Sequence, residues 1–146
     1  MVKVLVKKLD PKVKLPEYKS NGASGMDILA FIKKPISIKP KTSYIIPTGL
    51  SAAFARDYEI QIRPRSGLAA KNNISVLNTP GTIDSDYRGE IKVVLINLSN
   101  TSFTINPGDR IAQMVFANTT QVEFEEVNDL EKTTRGDSGF GSTGKL

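Results

Sequence analysis

Residues 90–98 read EIKVVLINL, the strongest apolar run in the chain. A short, continuous run rich in Val and Ile is typical of a strand in the interior of a sheet. The sequence therefore predicts a central β-strand at this position.

Shorter strand patterns lie on both sides of this run. In residues 2–9, Val alternates with Lys and Leu, which indicates a half-buried strand. Further strand patterns bounded by turn residues lie at 36–40, 43–54, 58–64, 102–105, 110–116 and 122–127. Only Ser66–Lys71 favours a helix, with Ser66 as a possible cap. The sequence predicts an all-β fold, a jelly-roll-like barrel or sandwich of short strands with one short helix.

The C-terminal residues have a different composition. Residues 135–146 read RGDSGFGSTGKL, and four glycines in this segment disfavour a fixed shape. The apolar pattern ends after Glu131, so we expect a β domain over 1–131 and a flexible glycine-rich C-terminal arm over 132–146. The arm carries a guanidinium, an aromatic ring and paired hydroxyls, which suit a polyphosphate ligand. A flexible terminus without a role is the competing interpretation.

The composition limits the chemistry. The chain has 146 residues, with no Cys and no His. Disulfides, zinc–thiolate sites and Ser–His pairs are thereby excluded, and acid–base work falls to Asp, Glu, Tyr or Lys. No apolar stretch is long enough to span a bilayer, and no signal-peptide pattern begins the chain. We expect a soluble intracellular protein without membrane partners, in the cytoplasm or, in a eukaryote, also in the nucleus.

Positive charge is concentrated in the first third of the chain. The net charge is +5, and residues 1–45 hold ten lysines against three acidic residues. Such a surface could steer anions or contact nucleic acid. Because lysine is a strongly hydrated point charge, we favour a solvated face and expect no stable nucleic-acid binding.

A candidate catalytic group lies in residues 78–91, NTPGTIDSDYRGEI. Pro80-Gly81 and Arg88-Gly89 bracket a predicted hairpin that presents Asp84, Asp86 and Tyr87. In a protein without His or Cys, a carboxylate on a rigid hairpin is a natural group to activate water. Ordinary turn chemistry is the alternative explanation for these residues.

Two further segments suit phosphate and metal. Residues 63–67, RPRSG, combine guanidinium groups, a hydroxyl and free amides in a phosphate cradle or, alternatively, a helix cap with solvent-facing arginines. Asp27 could hold a hydrated Mg²⁺ or be a turn residue. Asp109 and Arg110 could form a structural pair.

Five segments, in order, resemble the motifs of the trimeric dUTP pyrophosphatases (dUTPases). They are ASGMD, RPRSGLA, GTIDSDYRGEI, GDRIAQMVF and RGDSGFGSTG, and the resemblance covers about residues 10–144. It implies a β jelly roll that forms a homotrimer with shared active sites. It also implies Mg²⁺-assisted hydrolysis of dUTP to dUMP and pyrophosphate, which limits uracil incorporation into DNA and supplies dUMP for thymidylate synthesis.

The resemblance assigns roles to the nucleoside-binding residues. Asp84 would be the general base that orients water toward the α-phosphorus and would contact the sugar 3′-hydroxyl. Tyr87 would lie under the deoxyribose and exclude a 2′-hydroxyl. Asn78 would read the uracil edge, with Gly81 in the same binding segment.

The resemblance also assigns the phosphate-binding residues. Arg65, Ser66 and Gly67 would contact the α- and β-phosphates, with Gln113 nearby, and Asp27 would hold a water of the Mg²⁺. The arm would supply a γ-phosphate clamp, a ring that stacks on uracil, and further phosphate contacts: Arg135, Phe140, Gly141, Ser142 and Thr143.

Two alternatives to this activity differ in class. A dCTP deaminase shares the fold and parts of the first four motifs, and a non-catalytic regulatory or binding protein could retain the fold. The Asp84–Tyr87 segment and the complete fifth motif favour the pyrophosphatase.

Overall fold

The protein is built from short antiparallel strands. A computed structural model describes residues 2–139 and shows ten strands and one helix among them. These are β1 (Leu5–Lys8), β2 (Met26–Leu29), β3 (Ile36–Ile38), β4 (Ser43–Ala53), β5 (Tyr58–Arg63), α1 (Ser66–Asn72), β6 (Ile74–Val76), β7 (Gly81–Ile83), β8 (Ile91–Asn97), β9 (Phe103–Ile105) and β10 (Arg110–Asn118). None of the helical segments in this part of the chain has the length and apolar character needed to cross a bilayer.

Strand β8 lies in the interior of the first sheet, as predicted. The strand order is β1-β4-β8-β6. Ile91, Val93 and Leu95 are buried, whereas Val94 and Ile96 on the other face are half-buried. The apolar run therefore reflects burial of one face and partial cover of the other.

A second four-stranded sheet has the order β2-β10-β5-β7, and β3 pairs with β9 in a two-stranded sheet. All of these strand pairs are antiparallel. A single cluster of buried side chains, among them Ile28, Ile60, Val93 and Ile105, draws on all three sheets. The predicted all-β architecture with one short helix is confirmed.

The predicted hairpin around residues 80–89 is wrong. Strand β7 pairs with β5 in the second sheet, whereas β8 pairs with β4 and β6 in the first. Residues 84–90 therefore cross from one sheet to the other. A turn closes at the start of this crossing, where the Tyr87 N–H donates to the Asp84 carbonyl at 3.2 Å.

The strand predicted at 122–127 is also absent. Residues 119–139 form no strand, and the Phe124 side chain is 93% exposed. The alternation of Val and Phe with Glu is a strand pattern, but a strand also needs a neighbouring edge, and this segment pairs with none among residues 2–139. The boundary at residue 131 stays a prediction.

Candidate active site

Three neighbouring strands of the second sheet bring polar side chains together. Asp27 of β2 lies opposite Gln113 of β10, and Gln113 lies opposite Arg63 of β5. Arg65 follows β5, and its Nε donates to the Asp27 carboxylate at 2.8 Å. The predicted residues Asp27, Arg65 and Gln113 thus form one cluster. Asp27 is a strand residue rather than a turn residue.

The Asp27 carboxylate lies between two guanidinium groups. Arg110 Nη1 donates to its second oxygen at 3.3 Å, and the Asp27 side chain is only 19% exposed. The triad carries a net charge of one positive unit, which favours an anionic ligand. The predicted Asp109–Arg110 pair is wrong, because Asp109 instead accepts a hydrogen bond from the Asn106 backbone at 2.7 Å.

Arg65 is held in one orientation. Its Nε binds Asp27, and its Nη1 donates to the Arg110 carbonyl at 3.2 Å. Its Nη2 makes no hydrogen bond within residues 2–139, so this group is available to a ligand. Arg63, in contrast, is bound to Gln61, and only one arginine of the RPRSG segment joins the cluster.

The Gln113 side chain depends on the glycine at position 25. Its Nε2 donates to the Pro64 carbonyl at 2.9 Å, which turns Oε1 toward Gly25. A Cβ added to Gly25 would lie 2.6 Å from that oxygen. The Gln113 side chain can therefore take this position only because residue 25 is a glycine. Sequence reasoning missed this contact, because Gly25 and Gln113 lie far apart in the sequence.

Ser66 and Gly67 begin helix α1 and are exposed. The N-cap residue is Arg65, and no side chain caps the helix, so the predicted capping role of Ser66 is wrong. Its hydroxyl is thereby left for another partner. A Cβ added to Gly67 would meet nothing within 4 Å, so packing among residues 2–139 does not require glycine at this position.

A cavity of about 520 Å³ adjoins this cluster at Asp27 and Arg110. Lys12, Lys14 and Lys19 lie on its rim. Lys19 lowers the pKa of the Glu17 carboxyl, first through a hydrogen bond and then through its charge. Glu17 thereby offsets the charge of Lys19, while Lys12 and Lys14 add positive charge beside the Arg65 cluster, which helps to attract anions.

Asp84 and Tyr87 form a second group, in the crossing between the sheets. The exposed Asp84 carboxylate makes no hydrogen bond or ion pair with the part of the chain that the structure describes. The Tyr87 hydroxyl donates to the Glu90 carbonyl at 3.2 Å. Arg88 Nη1 donates to the carbonyls of Ser85 and Tyr87 at 2.7 and 3.0 Å, and so braces the turn.

Asn78 lies just before β7. Gly81 is opposite Ile62 in register, and a Cβ added to Gly81 would lie 3.2 Å from Asn78 Nδ2. The Asn78 side chain thus packs against the Gly81 backbone, and the small residue makes room for the amide.

Asp84 and Arg65 lie toward opposite ends of β5. Ile83 pairs with Ile60, so Asp84 continues toward Glu59, at the start of the strand. The four residue-to-residue steps from Glu59 to Arg63 span about 13 Å, and Arg65 lies two residues farther on. One chain therefore carries two separated groups of candidate residues, or candidate half-sites, one at Asp84 and Tyr87 and the other at Arg65, Asp27 and Gln113.

Within residues 132–139, the arm makes no hydrogen bond or ion pair with either half-site. Arg135 Nε donates to the Ser138 carbonyl at 2.9 Å, and the Gly136 N–H donates to Thr133 Oγ1 at 3.2 Å. These contacts form a local turn at the start of the arm. The predicted contacts of Phe140, Gly141, Ser142 and Thr143 lie outside the described residues.

Solved structures with this fold include phage dUTPases. A mutant of the Staphylococcus bacteriophage 80alpha dUTPase with dUpNHpp has a TM-score of 0.87 at 23% identity, covering 98% of this chain and 99% of the other. A mutant dUTPase from phage phi11 of S. aureus, described with a structural Mg(II) ion, has a TM-score of 0.80 at 20% identity, covering 89% and 99%. At these identities the likeness shows the fold, which is the predicted jelly roll.

Sequence comparisons give the family. The dUTPase family model matches residues 11–144. The deoxyuridine 5′-triphosphate nucleotidohydrolase of Fusobacterium nucleatum is 53% identical over 146 residues, covering 99% of this chain and 100% of the relative. The protein of the same name from Rickettsia bellii is 54% identical over 145 residues, covering 99% and 97%. The chain belongs to the dUTPase family.

Proposed function

We propose that the protein hydrolyses dUTP to dUMP and pyrophosphate by attack of water on the α-phosphorus, at sites shared between the copies of a homotrimer. The observation that carries the proposal is the combination, in a dUTPase-family chain, of an Asp84 carboxylate without a partner among residues 2–139 and a separate cationic cluster at Arg65. The carboxylate accepts a proton from water, and the cluster binds the phosphates.

The nucleoside half of the site selects the substrate. The Asn78 amide forms hydrogen bonds with the uracil edge, and the Tyr87 ring lies under the deoxyribose, where it leaves no room for a 2′-hydroxyl. Cytosine is rejected because its donors and acceptors do not match, which leaves buried polar groups unpaired.

The phosphate half is oriented before substrate arrives. Asp27 and the Arg110 carbonyl hold Arg65 so that Nη2 stays available, and a fixed guanidinium loses little entropy on binding phosphate. The Ser66 hydroxyl and the Gly67 backbone complete the phosphate contacts. Within residues 2–139, Ser66 does not cap the helix, and a Cβ added to Gly67 would meet nothing within 4 Å, so both positions are open to a ligand.

The residues present suit a magnesium ion that is held mainly by the nucleotide. Mg²⁺ keeps several waters and binds through one or two carboxylates together with substrate phosphates. A carboxylate has about four positions that can accept a hydrogen bond. The two arginines occupy two of these positions on Asp27, so other acceptor positions remain for a metal-bound water. Asp27 would accept a hydrogen bond from a metal-bound water, and the ion would neutralise charge on the leaving pyrophosphate.

Exposed apolar surface supports assembly of several copies. On the first sheet, Ile45 and Leu77 are both neighbours of Val94. Ile45 lies opposite Val94 in register, and the Leu77 N–H donates to the Val94 carbonyl. Ile45 and Leu77 are both more than half exposed, as are Phe124 and Leu130 after β10. Apolar surface of this kind marks interaction sites. A trimer would bring Asp84 of one copy to Arg65 of another.

Mixed trimers test the shared site. Asp84→Asn and Arg65→Ala are each expected to be nearly inactive alone. Differently tagged chains, coexpressed and purified through both tags, should regain about a third of wild-type turnover, because one of the three interfaces in each mixed trimer joins an intact Asp84 to an intact Arg65. Light scattering should give three times the 15.9 kDa chain mass.

The matched control pairs Asp84→Asn with the double variant Asp84→Asn/Arg65→Ala. These mixed trimers contain no intact Asp84 and should stay inactive. Equal activity in the two mixtures, or no recovery in the first, would show that the site is not shared in this way.

Gly25→Ala tests the placement of Gln113. The added Cβ would lie 2.6 Å from Gln113 Oε1 and displace it, so we expect kcat/KM for dUTP to fall by about tenfold to a hundredfold. Gly22→Ala is the control, because a Cβ there meets nothing within 4 Å. In a Gln113→Ala background, Gly25→Ala should have little further effect; an undiminished effect there would contradict the assignment.

A further inference from the structure

The Tyr87 side chain lies against the backbone of Gly89. A Cβ added to Gly89 would lie 2.3 Å from the Tyr87 hydroxyl oxygen and 2.5 Å from Cζ. Non-bonded carbon atoms pack at roughly 3.5–4.0 Å, so any other residue at position 89 would force the ring to move.

The glycine is not needed for the backbone itself. Gly49, Gly108 and Gly136 have positive φ values, whereas Gly89 does not. An alanine at position 89 would therefore not have to adopt the left-handed backbone conformation that favours glycine. The space for the Tyr87 ring is what requires a glycine there.

The rest of the fold holds the ring only weakly. Tyr87 is 45% exposed, so little apolar burial resists its displacement. Its hydroxyl is tied to the Glu90 carbonyl at 3.2 Å, and Glu90 is anchored to β4 because its Oε1 accepts the Gly49 N–H at 2.9 Å. The ring can swing outward if this hydrogen bond to Glu90 breaks, while the anchored Glu90 keeps the neighbouring strands in place.

We propose that Gly89 is a positioning residue that sets the selectivity for deoxyribose over ribose. The inference rests on the proposed function, in which the Tyr87 ring occupies the space that a 2′-hydroxyl would need. Gly89 provides the surface against which the ring rests. A side chain at position 89 moves the ring and opens that space to the ribose of UTP.

Gly89→Ala is the direct test. The ratio of kcat/KM for dUTP to that for UTP should fall by about tenfold or more, the usual effect of altering one steric contact in a pocket. Gly22→Ala should keep the wild-type ratio, since it adds the same methyl group in open space. Thermal unfolding should show both variants folded, with similar midpoints.

A double-mutant cycle separates positioning of Tyr87 from a general effect. In a Tyr87→Ala background, Gly89→Ala should leave the dUTP/UTP ratio unchanged, because the ring is gone. An unchanged ratio for Gly89→Ala alone, or an equal fall in the Tyr87→Ala background, would overturn the inference.

A further variant keeps the test decisive if Gly89→Ala does not fold. Tyr87→Phe retains the ring against Gly89 but removes the hydroxyl, and it should keep most of the selectivity. Complete loss of selectivity would assign placement of the ring to the Glu90 hydrogen bond and overturn the inference. If the wild type does not hydrolyse dUTP, both the proposed function and this inference are overturned. If the wild type is selective for dUTP over UTP and Gly89→Ala is equally selective, only this inference is overturned.

Discussion

Asp84→Asn is expected to lower kcat for dUTP by about 10²–10⁴-fold, the usual contribution of a general base. Asparagine keeps the size of the side chain and its ability to bind the sugar, but it does not take a proton from water. KM should therefore change little. Steady-state release of pyrophosphate in the presence of Mg²⁺ measures both constants.

Asp86→Asn is the matched control for this result. Asp86 is an exposed carboxylate in the same turn, two residues from Asp84, and it has no assigned role. It should keep nearly wild-type kcat. A similar loss of kcat in both variants would show that activity depends on the total negative charge of the turn rather than on one general base. Full activity of Asp84→Asn would show that the Asp84 carboxylate is not part of the mechanism.

Removal of residues 135–146 is expected to leave a folded trimer that turns over dUTP about 10²–10³-fold more slowly, a loss typical of removing donors that stabilise developing charge. The fold should survive, because within residues 2–139 the Arg135 side chain forms hydrogen bonds only with its own turn. The loss follows from removing the proposed γ-phosphate clamp and the ring proposed to stack on uracil. Kinetics, light scattering and thermal unfolding test the three parts of this prediction.

A shorter deletion controls for loss of chain length alone. Removal of Lys145 and Leu146 takes away none of the groups assigned to the nucleotide and should leave turnover close to that of the wild type. If the longer deletion also kept full activity, the arm would not be part of the site.

Patterns that depend on local burial were predictable from the sequence. Residues 90–98 indicated an interior strand because a continuous run of Val, Ile and Leu is typical of a buried strand. Strand β8 does lie in the interior of the first sheet. The alternation at 122–127 indicated a strand for the same reason, yet none forms, because pairing depends on a partner edge that the segment itself does not specify.

Contacts between distant segments were not predictable from local patterns. Asp27 and Arg110 are 83 residues apart, and only the register of β2 against β10 brings them together. The contact of Gly25 with Gln113 depends on the same register. The residues of the hairpin predicted at 80–89 do form a turn, but β7 and β8 join different sheets, which turn residues alone do not reveal.

Nucleotide selectivity tests the proposed activity most directly. The wild-type protein with Mg²⁺ should be assayed in parallel on dUTP, dCTP, dTTP and UTP, with separate measurement of nucleoside monophosphate, pyrophosphate and ammonia. We expect dUMP and pyrophosphate in equal amounts from dUTP, kcat/KM at least about a hundredfold lower for the other three nucleotides, and no ammonia from dCTP. Release of ammonia from dCTP, or no hydrolysis of dUTP, would contradict the assignment.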